Sequence, residues 1–322
     1  MTEHPAPDWA PTASPVALRH RADLLRDIRS FFDARGILEA ETPVLSRAGN
    51  SDPGMKQFGT GDGRWLRTSP EYALKRLLAA GGPDVYELGR VFRAGESGPW
   101  HNPEFTLLEW YRRGWAYPQL VDEVVDLVTH CGQRFGRQWT VRRVSYRGWL
   151  QDTAGIDPLR DTAEAMASVL ERAGVAYPDL RDLDRDGCLD LAVTHLAQPA
   201  LEEDSLTVVS LYPASQAALA RLHPEDPRLA ERFEVFLGGV ELANGYQELT
   251  DATEQRARFE AENEKRRSEG RSAVALDDRL LQALESGLPA CSGVALGVDR
   301  LLMVLGGYTR IRDVLAFPAD RA

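Results

Sequence analysis

The sequence predicts an α+β fold over residues 17–322, an antiparallel β-sheet flanked by helices, and three observations carry that reading. Val85–Arg93 and Glu104–Tyr111 alternate as two strands around a polar, turn-forming loop of about ten residues. Arg232–Leu249, RFEVFLGGVELANGYQEL, is a second strand pair closed by Gly238-Gly239, a two-residue hairpin signal between apolar runs. Segments with apolar residues at helical spacing stand before, between and after these pairs.

The chain has 322 residues, 43% hydrophobic and 27% charged, as in an ordinary globular enzyme. Its formal net charge of −11 argues against a protein that holds nucleic acid mainly by neutralising phosphates. No run approaches the ~18 apolar residues that span a bilayer, so no membrane partner is expected. The N-terminus lacks the basic-then-apolar order of a secretory signal. Cys131, Cys188 and Cys291 are scattered and show no CxxC spacing, which fits a reducing cytoplasm without disulfides or a zinc site.

Along the chain, residues 1–16 carry four prolines and little to bury, and are expected to be a mobile tail. Ala17–Ala34 has its apolar residues on one helical stripe, with Gly36 placed to end the helix. ILEAETPVL follows as a short strand that Pro43 restricts to an edge or an irregular junction. GTGDGRWLRTSPEY suggests a hairpin turning near Gly61-Asp62-Gly63. Ser69-Pro70-Glu71 can then open a helix, with Ser69 as N-cap and Pro70 at the first helical position. Residues 118–131 form an amphipathic helix, and 140–205 are expected to be a mostly helical insertion. LTVVSLYP at 206–213 is a buried-strand pattern, 253–270 and 278–286 are surface helices, and CSGVALGVDRLLMVLGG runs from a glycine-punctuated strand into a helix.

Glu234, Glu241 and Glu248 are evenly spaced in the hairpin segment. With Gly238-Gly239 as the turn, Leu237 pairs with Val240 and Phe236 with Glu241, so Glu234 and Glu241 become diagonal neighbours on one face. Such a pair is either a solvated sheet face or a seat for a hard cation such as Mg²⁺. Asn244-Gly245 suggests a bend that leaves Glu248 unplaced. Arg93, ahead of a glycine-containing loop with Glu96, His101 and Phe105 beyond, suits a phosphate and a stacked base.

Taken together, the helix and strand ending at Pro43, the stretch VFRAGESGPWHNPEF and the stretch GVALGVDRLLM resemble, in this order, the three signature motifs of class II aminoacyl-tRNA synthetases. ETPVL, HNPEFT, RFE, E-x-x-NG-x-x-E and GVDRL are nearest the lysine-specific enzymes. Those enzymes carry an anticodon-binding domain ahead of the catalytic core, whereas here the core begins within the first two dozen residues. That arrangement, with SPEY, HNPEFTxLEWY, ELANGxxELTDA and CSGVALGVDR, is similar to the truncated paralogs that attach (R)-β-lysine to a lysine of translation elongation factor P.

The resemblance implies a class II catalytic core that uses ATP and Mg²⁺ and acts on elongation factor P as protein acceptor. Arg93 and Arg300 would be catalytic, Arg93 at the α-phosphate and Arg300 at the γ-phosphate. Phe105 would stack on adenine, and Glu96, Asn102, Glu241, Leu242 and Gly297 would line the ATP site. Glu234 and Glu241 would hold the metal. Ser69, Pro70 and Glu71 would meet the substrate amino group, and Glu248 the side-chain ammonium, with Glu109, Tyr111, Asn244 and Tyr246 around them. The resemblance also implies a homodimer through Ala17–Leu45, although that apolar stripe could equally be internal core.

Two positions depart from the family pattern. Glu96 stands three residues after Arg93 where the acidic residue usually stands two after, and Ala295 replaces the middle glycine of the third motif. One added methyl in a tight pocket is worth ~1–3 kcal/mol of discrimination, so Ala295 is expected to disfavour α-lysine and admit a β-amino acid. The other readings kept in view are tRNA charging, which the charge and the missing anticodon domain disfavour, and a catalytically silent paralog, which Arg93, Glu234, Glu241 and Arg300 disfavour.

Overall fold

The computed structural model describes residue 7 and residues 9–322; residues 1–6 and 8, the first part of the expected tail, lie outside the described residues. The tail's other end is tied down. Thr12 Oγ1 donates to the carbonyls of Arg312 and Leu315, at 2.6 and 2.9 Å, and Ala13 is buried.

Ser14 caps helix α1 (Pro15–Asp33) by accepting from the Ala17 amide, and Pro15 occupies the first turn, where its missing N–H costs nothing. The expected strand ILEAETPVL forms only as two fragments, β1 (Leu38–Glu39) and β2 (Leu45–Ser46), because the chain around Pro43 leaves the ladder. β2 pairs with β3 (Trp65–Leu66) as a separate two-stranded sheet. Helix α2 (Glu71–Ala79) begins one residue later than expected: Pro70 is its N-cap, and Ser69 Oγ accepts from the Glu71 amide at 2.9 Å.

The body of the fold is one eight-stranded sheet in the order β1, β4 (Val85–Phe92), β5 (Glu104–Arg113), β10, β9, β8, β7, β6. The remaining elements in chain order are α3 (Tyr117–Gln133), β6 (Thr140–Ser145), α4 (Tyr146–Ala154), α5 (Ala163–Arg172), α6 (Arg185–Ala192), β7 (Ser205–Pro213), β8 (Leu229–Leu237), β9 (Val240–Gln247), α7 (Ala252–Ser268), α8 (Asp278–Glu285), β10 (Cys291–Gly297) and α9 (Val298–Gly306). Pairing is antiparallel from β4 through β7, as expected, but parallel at both edges, β1 on β4 and β6 on β7. β6 corrects the expectation that 140–205 opens as a helix. VRRVS is extended and mostly exposed, held by a strand sixty-odd residues further on.

α1, α3 and α9 bury Leu24, Phe32, Val124 and Leu301 against Trp110, Phe233, Val294 and Leu296 on one sheet face. On the other face, α2 and α8 pack at the β4–β5 end. The helical insertion covers β7 and β8 at the opposite end through Val209, Tyr212 and Phe236. The cavity described next lies between these two covers.

The Gly238-Gly239 turn forms as expected, with φ of +55° and +41°, which only glycine adopts at little cost. Leu237 pairs with Val240 and Phe236 with Glu241, but Val235 then pairs with Ala243. One extra residue therefore bulges from β9, and both Leu242 and Ala243 point into the core. Asn244-Gly245 continues the strand rather than bending it.

Candidate active site

A cavity of about 300 Å³ opens on the free face of the sheet, floored by β10 and walled by β5 on one side and β9 on the other. Strand alternation delivers its residues. On β10, Gly293, Ala295 and Gly297 face the cavity, whereas Val294 and Leu296 pack into the core. On β9 the bulge changes the parity. Glu241 and Glu248 stand seven residues apart, an odd number that an unbroken strand would send to opposite faces. The extra residue returns Asn244, Tyr246 and Glu248 to the face of Glu241, so all four line the cavity.

One end of the cavity is cationic and aromatic. The Arg93 guanidinium lies 5.1 Å from the centre of the Phe105 ring and 3.7 Å from Glu96 Oε1, and its Nε is buried without a hydrogen-bond partner. Arg300, on the first turn of α9, donates to the Glu241 carbonyl at 3.2 Å and lies 3.5 Å from its carboxylate. Its Nη2 is 2.6 Å from His101 Nε2. Burial and the Arg300 charge hold His101 below its usual range, which suits a neutral ring that accepts this contact. Two buried bonds fix the frame. Asp299 accepts from Arg21 on α1 at 2.5 Å and from the Thr106 amide at 2.7 Å, so the neighbours Arg300 and Phe105 are set against each other.

The other end is a buried carboxylate cluster. Glu109, 2% exposed, accepts from Ser69 Oγ at 2.6 Å and from Tyr111 Oη at 2.8 Å. Burial, with Glu71 beside it, pushes its carboxyl up to about 8. Glu248 is also buried; desolvation raises it to about 7 against the pull of Lys75. Neither Glu248 oxygen has an aligned hydrogen-bond donor, although Lys75 Nζ lies 2.6 Å from Oε2. A pocket of carboxylates with an orphaned buried oxygen suits a cationic guest.

Most of the predicted site residues meet here, including Leu242 near Gly297 and Ala295 on the floor. Two do not line the cavity. Pro70 faces an adjoining cleft of about 380 Å³, because it caps α2. Glu234 sits behind Arg232, which donates to it at 2.5 Å, and burial raises its carboxyl. Asn102 does line the cavity, but its side chain is spent on the chain itself, donating to the Glu104 carbonyl and accepting from the Ala319 amide. Glu241 is the carboxylate open to the cationic end, and no group of three metal-ligating side chains occurs among the described residues. The donor set therefore fits a cation completed by oxygens from a bound phosphate chain rather than one held by protein alone.

A family model described as tRNA synthetases class II (D, K and N) matches residues 9–321. The chain belongs to the class II tRNA synthetases. Similar proteins include ones named Elongation factor P--(R)-beta-lysine ligase from three bacteria. The Vibrio cholerae protein is 43% identical over 98% of this chain and 99% of the relative. Those of Vibrio vulnificus and Proteus mirabilis are 44% identical, over 97% and 98% of this chain and 98% of each relative.

For a class II synthetase core the expected α+β architecture is thus borne out. Sequence reasoning missed Lys75, Gly293 and Arg232. Lys75 follows Glu71 by four residues on α2, which by itself marks an ordinary surface pair. Its rarity was the available signal, since it is one of three lysines among 38 basic residues. Gly293 could be recognised only once its neighbours were placed. A Cβ there would stand 2.3 Å from the Tyr111 ring and 2.4 Å from Glu248 Oε1.

Proposed function

We propose that this protein activates (R)-β-lysine with ATP and transfers it to a lysine side chain of translation elongation factor P. The observation that supports this best is the polarity of the cavity, with Arg93 and Arg300 at one end and the half-buried Glu71 with the buried Glu109 and Glu248 at the other. An amino acid with two ammonium groups fits with its cations among the carboxylates and its own carboxylate toward Arg93. The carboxylate then attacks the α-phosphate, a displacement that needs in-line placement and charge neutralisation more than a protein nucleophile. The pyrophosphate leaves from the side of Arg300. The acceptor amine attacks the acyl carbon, the bond to the phosphate oxygen breaks, AMP departs and the amine gives up a proton.

Glu241 is the first candidate to hold Mg²⁺, with Glu234 a second ligand if it exchanges Arg232 for the cation. The ion would supply charge neutralisation at the phosphates. Ala295, between Glu109 and Asn244 in register, is the proposed discriminator against α-lysine. A homodimer is proposed through the β1 edge, where the outer backbone groups are free to pair and Leu38 is 53% exposed. The cytoplasm, where translation factors work, is the proposed compartment.

The test is ATP–pyrophosphate exchange with (R)-β-lysine and α-lysine, followed by transfer to purified elongation factor P or to tRNA. Exchange driven best by β-lysine and label on the factor are expected. Charging of tRNA with no label on the factor overturns the reading, and no exchange with either amino acid points to a silent paralog. In Ala295→Gly the preference for β- over α-lysine is expected to fall about tenfold, on the methyl-sized discrimination used above.

A further inference from the structure

Lys75 is the buried charge within the amino-acid end that the reaction above does not use. Of the three lysines, Lys56 and Lys265 are exposed and Lys75 is 1% exposed. Its Nζ donates to Glu71 Oε1, one helical turn back on α2, at 2.6 Å. On its other side, 2.6 Å away, is Glu248 Oε2, just past the end of β9. Burial pulls the Lys75 ammonium down, but the Glu248 and Glu71 carboxylates outweigh it and hold it above its ordinary range. Cys291 on β10 also faces Lys75, while Glu109 and Tyr111 on β5 and Tyr246 on β9 face its two carboxylate partners.

Two facts go beyond a structural ion pair. First, the side chains do not balance in number: three carboxyl groups, Glu71, Glu109 and Glu248, stand around one ammonium, so that with all three in their charged form the cluster would carry −2. Two ammonium groups on a guest close that balance, while one leaves a buried carboxylate uncompensated. Second, Nζ engages one oxygen of each carboxylate, and Glu248 Oε1 is left buried without a partner.

We propose that Lys75 is a positioning residue that makes the pocket selective for diamino acids. It clamps Glu71 and Glu248 by one oxygen each, so that the second oxygen of each accepts from a substrate ammonium, and its charge sets the number of ammonium groups the pocket balances. This rests on the function proposed above.

The test is Lys75→Met, close in shape and without charge, in the full-length protein. ATP–pyrophosphate exchange is followed from pH 6 to 9 with β-lysine and with the same β-amino acid lacking the terminal amine. KM for β-lysine is expected to rise about tenfold or more at pH 7, with kcat and KM for ATP changing far less. The pH at which KM levels off is expected to move up by about one unit, because Glu248, without the pull of Lys75, keeps more tightly a proton that the substrate must displace. The preference for the diamino acid shrinks. A lower melting temperature with KM, its pH profile and the preference unchanged would reduce Lys75 to a structural pair and overturn the proposal, as would a fall in KM.

A second measurement needs no core variant. With ¹⁵N-lysine in the wild-type protein, the three side-chain resonances are assigned by Lys56→Arg and Lys265→Arg. The Lys75 resonance is expected to shift with β-lysine and not with the monoamino analogue, and equal responses to both overturn the proposal. If wild type activates no diamino acid, the function itself fails and takes this proposal with it. If wild type is active and Lys75 is silent in both tests, only the proposal fails.

Discussion

Gly293 and the carboxylates around it set the demands of the amino-acid end one residue at a time. The Gly293 Cα faces Tyr111 and Glu248 so closely that a methyl group has no room, and both neighbours are buried and cannot swing away. Gly293→Ala is expected to cost about 1–3 kcal/mol of stability as an overpacked core, measurable by urea unfolding, and to raise KM for the amino acid more than KM for ATP. The carboxylates impose a pH dependence. Glu109 and Glu248 hold their protons to about 8 and about 7, well above unfolded carboxylates. The folded protein therefore binds more protons than the unfolded chain between pH ~4.5 and ~8, and these groups lower stability as pH rises through that window. Substrate binding runs the other way, because an ammonium prefers the ionised form. KM for the diamino acid is expected to fall as pH rises from 6 to 8, and calorimetry in buffers of different ionisation enthalpy should record proton release on binding. Proton uptake would contradict the assignment. That Arg93, Phe105 and Glu248 would share one cavity was legible because the resemblance named them together. Gly293 was not, since the glycine is required by side chains from two other strands.

Among the elements, α9 and β5 are held in register by the triangle of Arg21, Thr106 and Asp299. Arg21 Nη2 also donates to Thr106 Oγ1 at 2.6 Å, which closes the figure. Asp299→Asn weakens a largely buried charge pair and is expected to cost about 3 kcal/mol by thermal or urea unfolding. Its kinetic effect should fall on KM for ATP, through Arg300 and Phe105, and leave KM for the amino acid nearly unchanged. The glutamate hairpin was legible up to its turn, because two positive φ angles in a row call for Gly-Gly. Its bulge was not, since nothing in GVELANG distinguishes the residue that leaves the ladder. β6 was misread for a related reason. Its partner β7 is distant in sequence, and a parallel edge strand exposed on both faces carries no alternating pattern.

Across the whole molecule, the helical insertion is joined to the catalytic face rather than appended to it. Phe236, beside Glu234 and opposite Glu241, is buried in the insertion's core with Trp149 and Tyr212. Gln198 Nε2 donates to the Gly239 carbonyl at 2.7 Å, so the insertion also grips the hairpin turn. Phe236→Ala is expected to cost about 3–5 kcal/mol, with sheet and insertion still melting in one transition. Separate transitions for the two would show them to be independent. The α+β class was visible in the sequence because hairpins and helices are local. The parallel edges and the seating of the insertion were not, because they depend on which distant segments share a face.

The bulge at Leu242 works on β9 as a reading frame works on a message. Upstream of it, the strand displays Glu241 to the cavity; downstream, the frame has slipped by one, and Asn244, Tyr246 and Glu248 are displayed in place of Ala243, Gly245 and Gln247. Were the same residues to run through Leu242 without the bulge, composition and hydropathy would be unchanged, yet a methyl, a hydrogen and an amide would stand where the ammonium groups are to be met. The two ends of the cavity therefore share one strand but stand in different frames, and the bulge between them is what lets both frames open on the same side.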